Sequence, residues 1–241
     1  MGWSYSFWKG NFYPAKLAQK DFLAYYSKKF NTVEVDSTFY RIPQAQTVTE
    51  WKEQTSVGFK LSLKFPQKIT HVKMLKDCQE ETTVFLERVG LLEEKLGVLL
   101  LQFPPMFRQQ HFLLLADYLK ALPERYRYAV EVRNKSLLNP EVYTLLREHN
   151  VALVWVDTPK MPQISEITAD FLYVRWGGDR KIVTGTLGKI EVDRSLQIQE
   201  WAQKIRPHSE GGQIVFGYFS KYYSGFPPSD VEHFLTSISS L

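Results

Sequence analysis

The sequence predicts an α/β fold: a single (β/α)8 TIM barrel spanning residues 1–241. Three observations lead there. Short apolar or alternating runs recur along the chain, each followed by a stretch with apolar residues at helical i, i+3, i+4 spacing. Eight such pairs fit within 241 residues, and barrels of this class take about 250. Runs such as GVLLLQF and VALVWV are continuously apolar, as parallel strands are when helices cover them.

The elements follow in order. Residues 2–5 are expected as strand one, which is truncated at Met1-Gly2 or has its true start upstream; a helix over 17–30 follows. The next pairs are a strand over 32–36 with a helix over 44–54, and a strand over 58–64 with a helix over 77–95. Then come strands over 97–103, 128–132 and 151–156, with helices over 111–121 and 140–149 and only a weak turn over 164–169. Strand 171–175 pairs with helix 195–205, and strand 213–218 with helix 229–238. The longest irregular segment, 177–193, falls after strand seven, and long loops of this kind often carry function.

Composition narrows the functional classes. With 44% hydrophobic and 23% charged residues the chain is ordinary globular protein. Cys78 is its one cysteine, which excludes an internal disulfide and suits a reducing cytoplasm. No run approaches about 18 uncharged apolar residues, so a membrane span is not expected. A net charge of +4 tolerates an anionic ligand but is too small to indicate nucleic acid by itself.

In such barrels the active site lies at the C-terminal strand ends. There the sequence sets Glu34, Asp36, Lys64, Gln102, Glu131, Arg133, Asp157, Arg175, Tyr218 and Ser220. Glu131 and Asp157 end adjacent strands, about 4.8 Å apart, so they are the candidate acid/base pair. His71, in the loop after strand three, is a third catalytic candidate because imidazole titrates near neutrality. Lys64, Arg133 and Arg175 are candidates for an anion clamp, with Glu34, Asp36, Gln102 and the aromatic Tyr40 as further ligand contacts. The competing reading is an ion-pair plug, because four acids (Glu34, Asp36, Glu131, Asp157) face four bases (Lys60, Lys64, Arg133, Arg175). Gly177-Gly178 offers a weak phosphate-loop signal. No HxH or ExxH spacing supports a multinuclear zinc site. No resident cofactor is expected, although Glu34, Asp36 or Asp157 could hold Mg2+ with a substrate phosphate.

Several ordered motifs carry a resemblance. Trp3-Ser4-Tyr5, Trp8-Lys9-Gly10, Phe12-Tyr13-Pro14, Val33-Glu34 and Ser37-Thr38-Phe39-Tyr40 with Pro43 form the first part. Lys64-Phe65-Pro66 with Ile69-Thr70-His71, Gln102-Phe103-Pro104-Pro105, Glu131-Val132-Arg133 and Asp157 continue it. Together they resemble the DUF72 (YecE-like) family, which implies a TIM-barrel fold and brings no settled activity. Relatives often read Asn-Asn-His where this chain has Ser220-Lys221-Tyr222, which puts any chemistry of that tripeptide in doubt.

The expected function is binding of a phosphorylated or polyhydroxylated small molecule at the C-terminal face. If the chain turns that molecule over, the reaction is acid/base hydrolysis or isomerisation. The alternatives are a nucleic-acid-binding barrel without turnover and a member that has lost catalysis.

Overall fold

The computed structural model describes residues 1–239. Its strands are β1 (Thr32–Val35), β2 (Lys60–Lys64), β3 (Leu96–Gln102), β4 (Arg127–Glu131), β5 (Ala152–Leu153), β6 (Trp155–Asp157), β7 (Phe171–Trp176) and β8 (Ile214–Phe219). All pairings are parallel, in a five-stranded sheet β1-β2-β3-β4-β5 and a three-stranded sheet β6-β7-β8. The helices are α1 (Phe22–Tyr26), α2 (Ser37–Tyr40), α3 (Ala45–Gln54), α4 (Gln79–Gly90), α5 (Phe112–Ala121), α6 (Pro140–Glu148), α7 (Ser195–Glu210) and α8 (Pro227–Ser239).

The α/β class and the parallel order match the sequence reading, but the strand count of eight arises differently. Residues 2–5 form no strand. Gly2 adopts φ +72°, and the Tyr5 amide turns back onto the Trp3 carbonyl at 2.9 Å, so the chain bends into a 3-10 turn at Ser6–Trp8. The run expected as one strand at 151–156 is split into β5 and β6. Its first half pairs with β4 and its second half with β7, with the Val154 amide still donating to Val130 at 2.9 Å. Between β8 and β1 the hydrogen-bonded ladder does not close. Two bonds from the N-terminal segment flank that gap: Met1 N to the Phe219 carbonyl and Gly2 N to the Glu34 carbonyl, each 2.8 Å.

Two predicted helices are shorter than their apolar patterns. The 77–95 helix contracts to α4 because Asp77 and Glu93, flanking it, take φ of +47° and +51°. The 17–30 helix contracts to α1, after which Phe30 turns in to stack on Phe12 at 5.6 Å.

Strand parity sorts the core into two layers, because successive side chains point to opposite faces. One parity packs under the helices: Val33, Leu61, Leu63, Leu99, Leu101 and Val130 on one side, Trp155, Val174 and Trp176 on the other. The opposite parity of β3 to β8 gathers Val98, Leu100, Ala129, Ala152, Val156, Tyr173 and Phe216 into an inner cluster. Glu34, Ser62, Lys64, Gln102, Glu131 and Arg175 belong to that inner parity, continuing it to the C-terminal strand ends.

Candidate functional site

At the C-terminal strand ends the inner side chains form a continuous chain of hydrogen bonds centred on Arg175 from β7. Its Nε donates to Glu34 Oε2 at 2.9 Å and its Nη2 to Glu34 Oε1 at 2.8 Å, a bidentate clamp on β1. Its Nη1 donates to Glu131 Oε2 on β4. Glu34 also accepts from the Tyr173 hydroxyl at 2.7 Å. The other oxygen of Glu131 accepts from Gln102 Nε2 at 2.7 Å and from Arg133 Nε at 3.1 Å. Gln102 Oε1 in turn accepts from Lys64 Nζ at 2.6 Å. Strands β1, β2, β3, β4 and β7 thus meet in one network, as inner parity requires.

Burial alone would raise the Glu131 pKa. Arg175, then Arg133 and the Gln102 hydrogen bond, overcome it and hold the carboxyl at about 2. Lys64 moves the other way. Burial, reinforced by the positive charge of Arg175, pulls its ammonium down to about 8. Its Nζ lies 4.0 Å above the Phe39 ring. The Phe39 ring also meets the His71 imidazole edge-on, with ring centroids 4.9 Å apart. Burial, with Lys64 and Arg133 nearby, lowers His71 to about 4, so its ring is neutral at physiological pH.

The Glu131–Asp157 pair expected from adjacent strands does not form. Asp157 follows Val156 and carries the outer parity of Trp155, so its carboxylate turns toward α7. There Oδ2 accepts from Trp201 Nε1 at 2.8 Å and from the Tyr223 hydroxyl at 3.4 Å. A separate cavity of about 260 Å3 opens on that side, lined in part by Asp157, Arg194, Glu200 and Trp201. The three-cation clamp is also reduced, because Arg175 is taken up by Glu34 and Glu131. Asp36 is only a distant partner of Arg175, at 3.9 Å, and Tyr40 is 73% exposed at the rim. The Gly177-Gly178 amides both donate to the Asp157 carbonyl, at 2.9 and 3.2 Å, so they do not face a phosphate. Among the described residues no group of three His, Cys, Asp or Glu side chains is placed to hold a metal ion.

Above the network lies a cavity of about 580 Å3. Glu131, Arg133 and Arg175 form its floor, and Lys160, Arg180 and Lys181 join its wall with Asp179 and Ser220. No sequence signal marks Lys160, Arg180 and Lys181, because they sit on irregular segments without periodic pattern. Tyr173 was discernible, since it lies two residues before Arg175 and shares its face. At the departing tripeptide, Ser220 lines the cavity, Lys221 Nζ sits 5.0–5.7 Å from the Tyr5, Phe7 and Tyr222 rings, and the Tyr222 ring lies under Arg180 at 4.5 Å.

A parallel α/β chain with a buried carboxylate–guanidinium network at its strand ends defines the class. The family follows from comparison: a model described as "Protein of unknown function DUF72" matches residues 1–240. The chain belongs to the DUF72 family. It is 37% identical over 109 residues to the UPF0759 protein YecE of Escherichia coli K12, covering 45% of this chain and 40% of YecE. It is 29% identical over 163 residues to UPF0759 protein YunF of Bacillus subtilis 168, covering 64% of this chain and 57% of YunF. The matched segments therefore span less than two thirds of either relative. Among solved structures, a DUF72 family protein from Thermotoga maritima MSB8 (TM1631) superposes with a TM-score of 0.76 at 27% identity, over 99% of this chain and 96% of that one. Another, from Enterococcus faecalis V583 (EF0366), gives 0.73 at 23% identity over 91% and 93%, a likeness of fold alone. No helix among the described residues is long and apolar enough to cross a membrane.

Proposed function

We infer that the chain binds a phosphorylated or otherwise anionic, hydroxyl-bearing small molecule in the 580 Å3 cavity. The two sheets would act as one (β/α)8-type barrel, with residues 1 and 2 filling the seam between β8 and β1. Arg133 carries the reading. Its Nε is bound to Glu131, while its terminal nitrogens have no partner among the described residues and its side chain is 45% exposed on the cavity floor. A guanidinium fixed by one nitrogen and open at two is arranged for bidentate capture of a phosphate or carboxylate. Lys160, Arg180 and Lys181 add positive charge against Asp179. His71 and Lys64 lie beside the network and outside that cavity's lining, so they take part in turnover only if the bound molecule reaches past the floor toward Gln102 and Phe39. Glu131, held at about 2, stays ionised and makes a poor acid.

The test is calorimetric titration of inorganic phosphate and a set of sugar phosphates into the wild-type protein and Arg133→Ala. Without the bidentate guanidinium, binding should weaken at least tenfold, about 1.4 kcal/mol. Equal affinity in the two proteins would remove the reading. Binding of an oligonucleotide that falls steeply with salt, with no sugar-phosphate binding, would favour a nucleic-acid surface instead.

A further inference from the structure

We propose that Lys64 is an amine nucleophile that condenses with the carbonyl group of an anionic aldehyde or ketone to form an imine at the strand ends. The substrate class rests on the anion-binding reading above; the reactivity of the amine does not.

Two buried lysines show the contrast. Lys95 is 9% exposed, and its Nζ donates to the Lys52 carbonyl at 2.7 Å, the Thr55 carbonyl at 2.6 Å and the Thr55 hydroxyl at 3.1 Å. All three N–H positions are used, so its ammonium is structural. Lys64 is 8% exposed, yet its Nζ has one acceptor, Gln102 Oε1. Among the described residues no carboxylate lies within ion-pair distance of it, and the Phe39 ring covers one side. A buried amine short of acceptors and carboxylates, near a second cation, is the setting that turns a lysine into a nucleophile.

The charged groups around it are Arg175, which disfavours its ammonium, and Asp36, Glu131 and Glu34, which favour it. His71 and Arg133 lie close by, and His71 is neutral at pH 7. Burial and Arg175 prevail, leaving Lys64 at about 8. At pH 7 its neutral fraction therefore exceeds that of an ordinary lysine roughly 200-fold. In the reaction the Nζ lone pair attacks the carbonyl carbon. The two nitrogen protons leave with the carbonyl oxygen as water and a C=N bond forms, with no oxidant or reductant required. Through Gln102, the amine is linked to Glu131 and so to the floor of the cavity where the anionic group would sit.

The experiment incubates wild-type protein at pH 7 with glyceraldehyde 3-phosphate or, separately, neutral glyceraldehyde, in the presence of cyanoborohydride. Modified lysines are then mapped by mass spectrometry. Lys64 should be labelled on the order of 100-fold faster than the exposed lysines, and Lys64→Arg should lose this adduct. Because the wild-type map carries the result, it does not depend on the variant folding. Labelling spread over surface lysines with Lys64 untouched would overturn the proposal. Lys64 labelling equally fast with both probes, and insensitive to Arg133→Ala, would uphold the nucleophile and defeat the anion-binding reading.

Discussion

Arg175 on β7 clamps Glu34 on β1 across 141 residues of sequence, with Nε and Nη2 each meeting a different carboxylate oxygen at 2.9 and 2.8 Å. The same guanidinium holds Glu131 on β4, so one side chain ties the three-stranded sheet to two strands of the five-stranded sheet. Arg175→Met would leave two buried carboxylates without their cation. Removing one partner from a buried pair costs about 3–5 kcal/mol, so urea unfolding should show a loss of that size. A loss below about 1 kcal/mol would mean that water, not Arg175, compensates those carboxylates.

Glu131 gives the network a pH signature. Its pKa is about 2 in the folded protein and in the ordinary range near 4.3 when unfolded. A depressed carboxylate contributes stability that is fully present above the unfolded value and is lost as pH falls toward the folded one. Between pH 4.5 and 2 the wild type should therefore lose about 2 kcal/mol of the roughly 3 kcal/mol this group supplies at neutral pH, the rest going below pH 2. Glu131→Gln should flatten that part of a stability-against-pH curve, measured by denaturant titration at each pH. An unchanged slope would show that the network does not hold Glu131 ionised.

Strand parity explains what the sequence revealed and what it hid. Glu34, Lys64, Gln102, Glu131 and Arg175 were legible as strand-end residues because each ends an apolar run. Their convergence follows once the strands lie parallel. Asp157 was legible as a strand end but assigned to the wrong face: the alternation Val154, Val156 makes Asp157 outward, where Trp201 meets it. That partner is on α7, far along the chain, and no local pattern announces it. The role of Arg175 was hidden for the same reason, since a free cation and one spent on two carboxylates look identical in sequence. The split at Val154 and the bend at Gly2 depend on tertiary hydrogen bonds to Val130 and Glu34. Apolar periodicity does not register such bonds.

Gly178 is a backbone requirement rather than a phosphate loop. It adopts φ +66°, and a Cβ there would lie 2.0 Å from the Tyr222 carbonyl oxygen. Gly178→Ala must displace the Tyr222 segment, whose carbonyl also accepts from the Asp179 amide at 3.2 Å. A left-handed alanine and a backbone clash together should cost at least about 1–3 kcal/mol. The displaced segment should also weaken ligand binding at the cavity wall formed by Asp179, Arg180 and Lys181. Thermal unfolding and a phosphate titration check both effects, and a variant unchanged in both would show that this loop is free to shift.

Asp230, in the first turn of α8, works against stability at neutral pH. Burial raises its pKa to about 7, with the Ser224 hydroxyl bonded at 2.7 Å and Arg194 opposing the rise only in part. A carboxyl that ionises near 4 when unfolded and near 7 when folded binds more protons in the native state between those values. Stability therefore falls as pH rises through that window. The group should cost up to about 4 kcal/mol by pH 8 relative to pH 4. Asp230→Asn keeps an oxygen for Ser224 and carries no charge, so it removes the titration and leaves the hydrogen bond in place. The variant should match the wild type near pH 4 and be more stable at pH 8. Denaturant midpoints at the two pH values decide the matter: a variant less stable than wild type at pH 8 would mean that the ionised Asp230, through Arg194, holds α8 in place.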